Sequence, residues 1–387
     1  NKKKIRMGKI YTALGLMSGT SLDGVDVSII ESDGNKEYSR ILDRYFEYDS
    51  KIIEKLLKIR SEISSLEDLK LKKMEISNIE KEVTLFNARA VKETLEIIKF
   101  PVDIIGFHGQ TIFHDSEKKI TKQLGNGKLL SQLTKKKVIY NFRQNDLENG
   151  GQGAPLTPIF HNALANKINK KFNLQFPINI LNIGGISNIT TTVNENDLWK
   201  KNKIYAYDIG PGNCLIDEWI RNNSKEKYDK DGLIAKSGKS DKLILNQAME
   251  NLSDKFDYKK SLDIKDFDVS FAKGLSLENG AATITELTAK LIADGISYVN
   301  KMSEQSTNNW IVCGGGRKNQ FLIENIKNNF EKLNINTIEK YKIDGDFVES
   351  QAFAFLAIRS LEGMPISFPT TTRCKQALTG GVVVENF

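Results

Sequence analysis

The chain has 387 residues, of which 40% are hydrophobic and 27% are charged, as is usual for a globular protein. This composition excludes a disordered chain and a collagen-like fibre, and three widely separated cysteines exclude a disulfide scaffold. The net charge of +7 comes from lysines scattered among glutamates, a pattern typical of a solvated surface rather than of a nucleic-acid-binding face.

Length and the N-terminal segment suggest the class of protein. At roughly 100–200 residues per domain, the length favours two domains. No segment approaches the ~18 consecutive apolar residues of a membrane span. The basic start, residues 1–6, runs into a glycine-rich motif without a signal-peptide core, so we expect a frayed N-terminus. We therefore expect a soluble, cytoplasmic protein with no nucleic-acid or membrane partner.

The first half begins with a predicted hairpin. Residues 10–17 and 25–30 have the pattern of two strands, and a tip rich in Gly, Ser and Thr joins them. Residues 50–99 then have helical periodicity, with Ile76, Ile79, Val83, Phe86 and Ala90 on one face. The remaining predicted elements are strands at 102–107 and 137–140, a polar loop at 141–153, and a helix that begins near Pro155.

The second half repeats this plan. It begins with strands at 178–183 and 186–193 around a Gly184-Gly185 turn, followed by a strand at 204–209. The later predicted elements are helices at 214–220, 283–302, 317–330 and 349–361 and strands at 310–313 and 335–338.

Two such halves predict an α/β fold. A glycine-tipped hairpin followed by alternating helices and strands gives a mainly parallel sheet with flanking helices. We predict two duplicated RNase H-like domains around an ATP cleft, as in actin and hexokinase. The predicted lobes are residues 1–172 and 173–387, and the last helix can return to the first lobe.

Three glycine-rich turns are candidates for binding a nucleotide, although each also fits an ordinary tight turn. The first turn offers backbone N–H groups and two hydroxyls to a phosphate, and its two aspartates can hold Mg²⁺ through water. It lacks the lysine of a P-loop. The residues of this turn are Gly19, Thr20, Ser21, Leu22, Asp23, Gly24, Val25 and Asp26.

The other two turns lie in the second half. Asp208 at a strand end, followed by Gly210, Gly212 and the start of a helix, suits Mg²⁺ and phosphate together. In the third turn, Gly314, Gly315 and Gly316 leave room for a flat ligand such as adenine to lie on the backbone.

The polar loop at 141–153 has the chemistry of a catalytic segment. It carries Arg143, two carboxylates and a glycine cluster directly after a predicted strand. Asp146 can act there as a general base, although its position also fits a helix cap or a salt bridge.

Together these motifs resemble the anhydro-N-acetylmuramic acid kinases, a family of bacterial cell-wall recycling. The resemblance extends from residue 15 to residue 353, and the combination of its first and fourth motifs is highly specific. The matching motifs are Gly15-Leu-Met-Ser-Gly-Thr-Ser-Leu-Asp-Gly-Val-Asp26, His108-Gly-Gln-Thr111, Asn141-Phe-Arg-x-x-Asp146, Gly150-Gly-Gln-Gly-Ala-Pro-Leu156, Asn182-Ile-Gly-Gly-Ile-Ser-Asn-Ile189, Asp208-x-Gly-Pro-Gly-Asn213, Cys313-Gly-Gly-Gly316 and Glu349-Ser-Gln-Ala-Phe353.

The resemblance implies a reaction and a set of roles. Water opens the internal ether of 1,6-anhydro-N-acetylmuramic acid, and ATP with Mg²⁺ phosphorylates O6. Asp146 would be the base that activates this water, and Asp23 and Asp208 would place Mg²⁺. The first turn would wrap the ATP phosphates, the third turn would border the adenosine, and the protein would form a homodimer. The implied sugar-lining residues are His108, Gln110, Arg143 and Glu349.

The sequence departs from the family pattern at two places. Asn141 stands where the family usually has aspartate, which removes a carboxylate near Arg143. Glu148-Asn149 replaces two small residues and adds a charge near the proposed base. Three other functions are compatible with these motifs: a kinase of an ordinary sugar, a nucleotide-switched interaction protein, and an inactive relative that binds without turnover.

Overall fold

The protein is described by a computed structural model that covers residues 8–194, 204–253, 257–258, 260–302 and 309–387. The chain forms two compact units, the first made of Asn1–Lys167 with Phe347–Phe387 and the second of Ile168–Asp346. The basic start at residues 1–6 lies outside the described residues. Within the described ranges, every helix is too short or too polar to cross a bilayer.

The first unit is built on a seven-stranded sheet. Its first three strands form an antiparallel meander in which β1 pairs with β2 and β2 with β3. β4 pairs in parallel with β1, and β6 in parallel with β4. β5 and β12 add antiparallel pairings to β4 and β6. The strands are β1 (Tyr11–Ser18), β2 (Gly24–Ser32), β3 (Tyr38–Glu47), β4 (Ile104–Asp115), β5 (Ile120–Leu124), β6 (Lys137–Tyr140) and β12 (Val382–Val384).

Helices cover this sheet with apolar faces. The predicted face of five residues from Ile76 to Ala90 is buried in the structure, which confirms the helical interpretation there. The single stretch predicted at 50–99 is three helices, since the chain breaks at 63–65 and again at Lys72. The helices of the unit are α1 (Ser50–Glu62), α2 (Leu66–Leu71), α3 (Lys73–Leu95), α4 (Gly127–Thr134), α5 (Gln144–Glu148), α6 (Pro158–Phe172, which runs into the second unit) and α12 (Val348–Leu361).

The second unit has a five-stranded sheet in the order β11-β10-β7-β8-β9. β7, β8 and β9 form an antiparallel meander, and β10 pairs in parallel with both β7 and β11. The strands are β7 (Ile178–Ile183), β8 (Ile186–Thr192), β9 (Tyr205–Pro211), β10 (Asn309–Cys313) and β11 (Asn334–Thr337). The helices are α7 (Cys214–Asn223), α8 (Leu233–Ser237), α9 (Lys242–Ser253), α10 (Leu277–Met302) and α11 (Gln320–Lys327).

The two sheets share one topology, and this confirms the predicted duplication. In each unit a three-stranded meander is followed by a strand parallel to its first strand, β4 or β10, and by a later strand parallel to that one, β6 or β11. The first unit also contains β5, which pairs antiparallel with β4. The shared order is the RNase H-like order, so the chain is an α/β protein that contains two such domains.

The position of α12 differs from our division of the chain. We assigned residues 173–387 to the second lobe, whereas residues 347–387 pack within the first unit. The helix is buried along nearly its whole length against β1, β2 and β4. Its backbone approaches the sheet so closely that a Cβ at Gly15 would collide with the Ser350 carbonyl, and one at Gly106 with that of Phe353.

Candidate active site

The predicted site residues of the first unit lie at one edge of its sheet. β1, β4 and β6 run parallel, so their carboxyl ends meet at the same edge, where ligands bind in open α/β sheets. The first glycine turn follows β1, and the loop with Asp146 follows β6. His108 and Gln110 lie in β4 just beyond its pairing with β6.

Hydrogen bonds from outside the first glycine turn fix its shape. Gln110 Nε2 donates to the Gly19 carbonyl at 2.9 Å, and Arg60 donates to the Thr20 carbonyl at 2.7 Å. The Tyr48 amide donates to the Asp23 carbonyl at 2.8 Å. Leu22 is buried and has a φ of 59°, which turns the backbone sharply. The tip is therefore held in place before any ligand arrives.

The same turn leaves its tip open. Thr20, Ser21 and Asp23 are exposed, and the Ser21 hydroxyl donates to Asp23 Oδ1 at 2.6 Å. A Cβ at Gly19 would meet only the Ser21 hydroxyl, at 3.8 Å, so a ligand can approach the backbone there. A Cβ at Gly24 would collide with the Phe46 carbonyl, so this second glycine serves packing.

The loop after β6 buries the proposed base. We predicted a polar loop at 141–153, but α5 (Gln144–Glu148) lies within it and carries Asp146. The Asp146 side chain is only 2% exposed. The Thr372 hydroxyl donates to Oδ1 at 2.6 Å, and the Gly153 amide donates to Oδ2 at 2.7 Å. A carboxylate offers about four acceptor sites, so these two bonds fix its plane and leave capacity for another donor.

Arg143 links this loop to β4. Its guanidinium donates to the Gly153 carbonyl at 2.8 Å and lies 3.0 Å from His108 Nε2. Burial lowers the pKa of Arg143 to about 10, while the nearby carboxylates of Glu349 and Asp146 oppose this shift. The arginine therefore remains charged at neutral pH and places a cation beside two carboxylates.

Both nitrogens of the buried His108 ring have partners within the protein. Nδ1 lies 2.7 Å from the Gly109 carbonyl, and Nε2 accepts from Arg143. Burial and, to a smaller extent, the Arg143 charge lower the pKa of His108 to about 3, so the ring is neutral at pH 7. His108 supports Arg143, and Gln110 likewise supports the first turn at Gly19.

Glu349 is the second residue of α12, the helix that packs across the first sheet. It lies in the first turn of α12 and is half-buried. Burial raises the pKa of its carboxyl, and the positive charge of Arg143 opposes that rise. The next two residues are fixed by polar contacts, since Ser350 Oγ lies 2.7 Å from Ser28 Oγ and Gln351 donates to Asp43 at 3.1 Å. The position of Glu349 is thus set by the packing of α12 on the sheet.

In the second unit, the turn at 210–212 is joined to the β7–β8 hairpin. The Gly212 amide donates to the Gly185 carbonyl at 2.8 Å, and the Asn213 amide donates to the Gly184 carbonyl at 2.7 Å. A Cβ at Gly212 would collide with the Gly184 carbonyl. The Gly212 amide is therefore engaged within the protein, and the absence of a side chain at Gly212 lets the turn pack against Gly184. Gly210 has a φ of 145°, which favours glycine.

Asp208 is half-buried in β9 and is held by a backbone donor. The Leu262 amide donates to Asp208 Oδ2 at 2.9 Å. Among the described residues, no group of three or more potential ligands could form a metal cage. Mg²⁺ usually binds through one or two carboxylates with phosphates and waters, so single carboxylates such as Asp208 or the exposed Asp23 fit that chemistry.

The third glycine turn combines packing with one open position. A Cβ at Gly314 would collide with the Asn182 side chain, and one at Gly316 with Ile183. A Cβ at Gly315 would meet only Asn213 Nδ2, at 3.6 Å. A flat ligand can therefore approach the backbone at Gly315. Gly314 and Gly316 instead let the turn pack on the end of β7.

The two departures from the family pattern do not disturb the base. Asn141 is exposed and has a φ of 57°, a left-handed conformation that asparagine tolerates well. Glu148 is exposed and accepts a hydrogen bond from Gln144 at 2.9 Å. Both side chains thus lie at the surface, whereas Asp146 is buried.

Two features of the site were not among the predicted residues. The Gly184-Gly185 turn occupies in the second unit the place that the first glycine turn occupies in the first, between the first two strands. The duplicated plan in the sequence was sufficient to predict that correspondence. Thr372 carried no local signal, because it lies 226 residues from Asp146 along the chain.

Comparison with known proteins shows the family. The profile of the family described as anhydro-N-acetylmuramic acid kinase matches residues 11–386. The chain belongs to the anhydro-N-acetylmuramic acid kinase family. It is 50% identical over 383 residues to the anhydro-N-acetylmuramic acid kinase of Pelagibacter ubique (strain HTCC1062), covering 98% of this chain and 100% of the relative.

More distant relatives agree. The enzyme of the same name from Agrobacterium fabrum (strain C58) is 37% identical over 385 residues, covering 98% of this chain and 100% of that protein. Among solved structures, the ADPNP-bound activator of the 2-hydroxyisocaproyl-CoA dehydratase from Clostridium difficile covers 91% of this chain and 96% of its own, with 11% identity and a TM-score of 0.43. A likeness at that level has no bearing on activity.

Proposed function

We propose that this protein is an ATP-dependent kinase that opens the anhydro ring of 1,6-anhydro-N-acetylmuramic acid and yields N-acetylmuramic acid 6-phosphate and ADP. The observation that carries the proposal is family membership over residues 11–386 together with a buried Asp146 whose carboxylate plane is fixed. A kinase of an ordinary sugar has no need of a base that activates water.

The proposed chemistry uses Asp146 as the general base. Asp146 takes a proton from water as the water oxygen bonds to C1, and the C1–O6 bond breaks. O6 then bonds to the γ-phosphorus of ATP, and ADP leaves. The product keeps the water oxygen as its C1 hydroxyl, and Asp146 later returns its proton to solvent. Arg143 provides the positive charge beside Asp146, and Glu349 borders the sugar.

The nucleotide contacts are proposed for each unit separately. In the first unit, residues 19–26 offer an open, preformed turn to phosphate, with Asp23 as a carboxylate for Mg²⁺. In the second unit, Asp208 offers a second carboxylate, and Gly315 offers an open backbone to adenosine. When bound, Mg²⁺ neutralises charge on the phosphates.

The test is a product assay in ¹⁸O-labelled water. The protein is incubated with ATP, Mg²⁺ and the anhydro sugar, and the product is reduced early so that the C1 oxygen cannot exchange. We expect the heavy oxygen at C1 and none in the phosphate. An intact anhydro ring in the product would favour the function of an ordinary sugar kinase. Label in the phosphate would mean that water attacks the γ-phosphorus instead of C1, which would contradict the proposed mechanism.

Asp146→Asn tests the base itself. The amide keeps the shape of the side chain but cannot accept the proton, so we expect turnover to fall by about 10²–10⁴-fold. ATP binding, followed by calorimetry, should persist and serves as the control for folding. Turnover at the wild-type rate would remove Asp146 from the mechanism.

A further inference from the structure

The segment after α12 has no role in the chemistry described so far. This C-terminal tail, residues 366–386, contacts the Asp146 loop at several points. The Gln152 amide donates to the Thr372 carbonyl at 2.7 Å, and Asn145 Nδ2 donates to the Thr379 carbonyl at 2.6 Å. The tail then continues as β12, which pairs with β6, the strand that leads into the loop. Backbone and side-chain bonds therefore hold tail and loop together.

Thr372 is the member of the tail that reaches the base. Its hydroxyl donates to Asp146 Oδ1 at 2.6 Å. Thr372 is fully buried, and its amide donates to the Phe368 carbonyl at 3.0 Å, so a local turn fixes its backbone. Cys374, two residues further along the tail, is also buried. Its burial, together with the nearby Asp146 carboxylate, raises the pKa of its thiol.

A hydroxyl at this place controls the geometry of the carboxylate. Hydrogen bonds to an ionised acceptor are about twice as strong as neutral ones. With Gly153 on one oxygen and Thr372 on the other, the carboxylate plane is held from both sides. Without the Thr372 hydroxyl, one oxygen loses its donor and the plane can rotate. A base must meet its water in a narrow range of positions.

We propose that Thr372 is a positioning residue that acts through Asp146 and does not touch the substrate. The inference rests on the proposed function of Asp146 as the base. It gives the C-terminal tail a direct part in catalysis, because the tail delivers the donor that orients the catalytic carboxylate.

Thr372→Val tests this role, since valine keeps the shape and removes the hydroxyl. We expect kcat to fall on the order of 10- to 100-fold, with the KM for ATP unchanged. Thr372→Ser should recover most of the rate.

Thr371→Val is the matched control. Thr371 is also buried, and its hydroxyl accepts from the Phe368 amide and donates to the Phe368 carbonyl, both at 3.1 Å. Within the part of the chain that the structure describes, it makes no hydrogen bond to Asp146. Thr371→Val should keep a near-wild-type kcat. Equal losses in the two valine variants would overturn the inference. If Thr372→Val fails to fold by circular dichroism, the same comparison is made between Thr372→Ala and Thr371→Ala.

A double-mutant cycle separates this inference from the proposed function. In the Asp146→Asn background, Thr372→Val should cost no further kcat, since the base it positions is already absent. A full additional loss in that background would overturn the positioning role while the base assignment stands. If Asp146→Asn alone turns over at the wild-type rate, the base assignment fails and the inference fails with it.

Discussion

Arg143 illustrates how a buried charge is kept in this site. Its donors are met by the His108 ring and the Gly153 carbonyl, and its charge faces the carboxylates of Glu349 and Asp146. The neutral ring of His108 is essential to this arrangement, because a protonated ring would repel the guanidinium. The lowered pKa of His108, about 3, keeps that acceptor available at any pH where the enzyme would work.

His108→Phe is expected to weaken this support. Phenylalanine keeps a ring against Phe353, whose centroid lies 4.5 Å from that of His108, but it offers no acceptor. A buried donor left without a partner costs about 1–3 kcal/mol, so we expect a loss of that size in the free energy of unfolding. We also expect kcat/KM for the anhydro sugar to fall about tenfold. His108→Gln, which restores an acceptor oxygen, should recover part of both losses, and an unaffected His108→Phe would contradict this role.

At the scale of single elements, the packing of α12 on the sheet sets the position of Glu349. The helix approaches β1 and β4 at Gly15 and Gly106, where any Cβ would collide with helix carbonyls. Glu349 precedes Ser350, the residue whose carbonyl faces Gly15, so a shift of the helix there also moves Glu349.

Gly15→Ala is expected to displace α12. Overpacking of a tight core costs about 1–3 kcal/mol, so urea denaturation should show a loss of stability in that range, and kcat should fall as well. Gly8→Ala is the control, since a Cβ at Gly8 meets only the Asp33 side chain, at 3.1 Å. Equal stability of the two variants would show that the helix can move away from β1 without cost.

How far the sequence predicted these elements depends on their surroundings. β6 and β7 were predicted with their observed bounds, because each is rich in β-branched residues and is followed directly by a polar or glycine turn. β3 was missed, since it lies at a sheet edge and most of its side chains are partly exposed. The resemblance named Asp146, Arg143 and His108, but it indicated neither the bond between Arg143 and His108 nor Thr372. Thr372 and His108 acquire their roles only through tertiary contacts, 226 and 35 residues distant in the chain.

At the scale of the whole molecule, the three histidines make stability depend on pH. Burial lowers the pKa of His108 and His161 to about 3 and that of His114 to about 4, against 6.5 for a free histidine. Between pH 6.5 and these lower values, the unfolded chain binds more protons than the folded protein. The free energy of unfolding therefore falls as the pH is lowered through this range. Asp217 has the opposite effect on stability and offsets one of the histidines. Burial raises the pKa of its carboxyl to about 7, so near neutral pH the folded state holds a proton that the unfolded state releases.

His161→Gln isolates one of these contributions. Urea titrations between pH 6.5 and 5, above the range where ordinary carboxylates titrate, give the slope of stability against pH. We expect the variant to have a slope smaller by up to about 1.4 kcal/mol per pH unit, the value for one proton. The wild-type protein, measured in the same buffers, is the reference. An identical slope in both proteins would mean that His161 does not become protonated on unfolding.

The division of the first unit by the second has a consequence for biosynthesis. Residues 168–346 lie between β6 and α12 in the chain, although β6 and α12 belong to the same unit. A ribosome adds about 5–20 residues per second, so α12 is synthesised roughly 10–50 s after β4, the last of the strands that it covers. During that interval the face of β1, β2 and β4 that α12 later buries is uncovered on the nascent chain. The unit that is begun first is therefore completed last, and its apolar sheet face stays exposed on the nascent chain until α12 has been made.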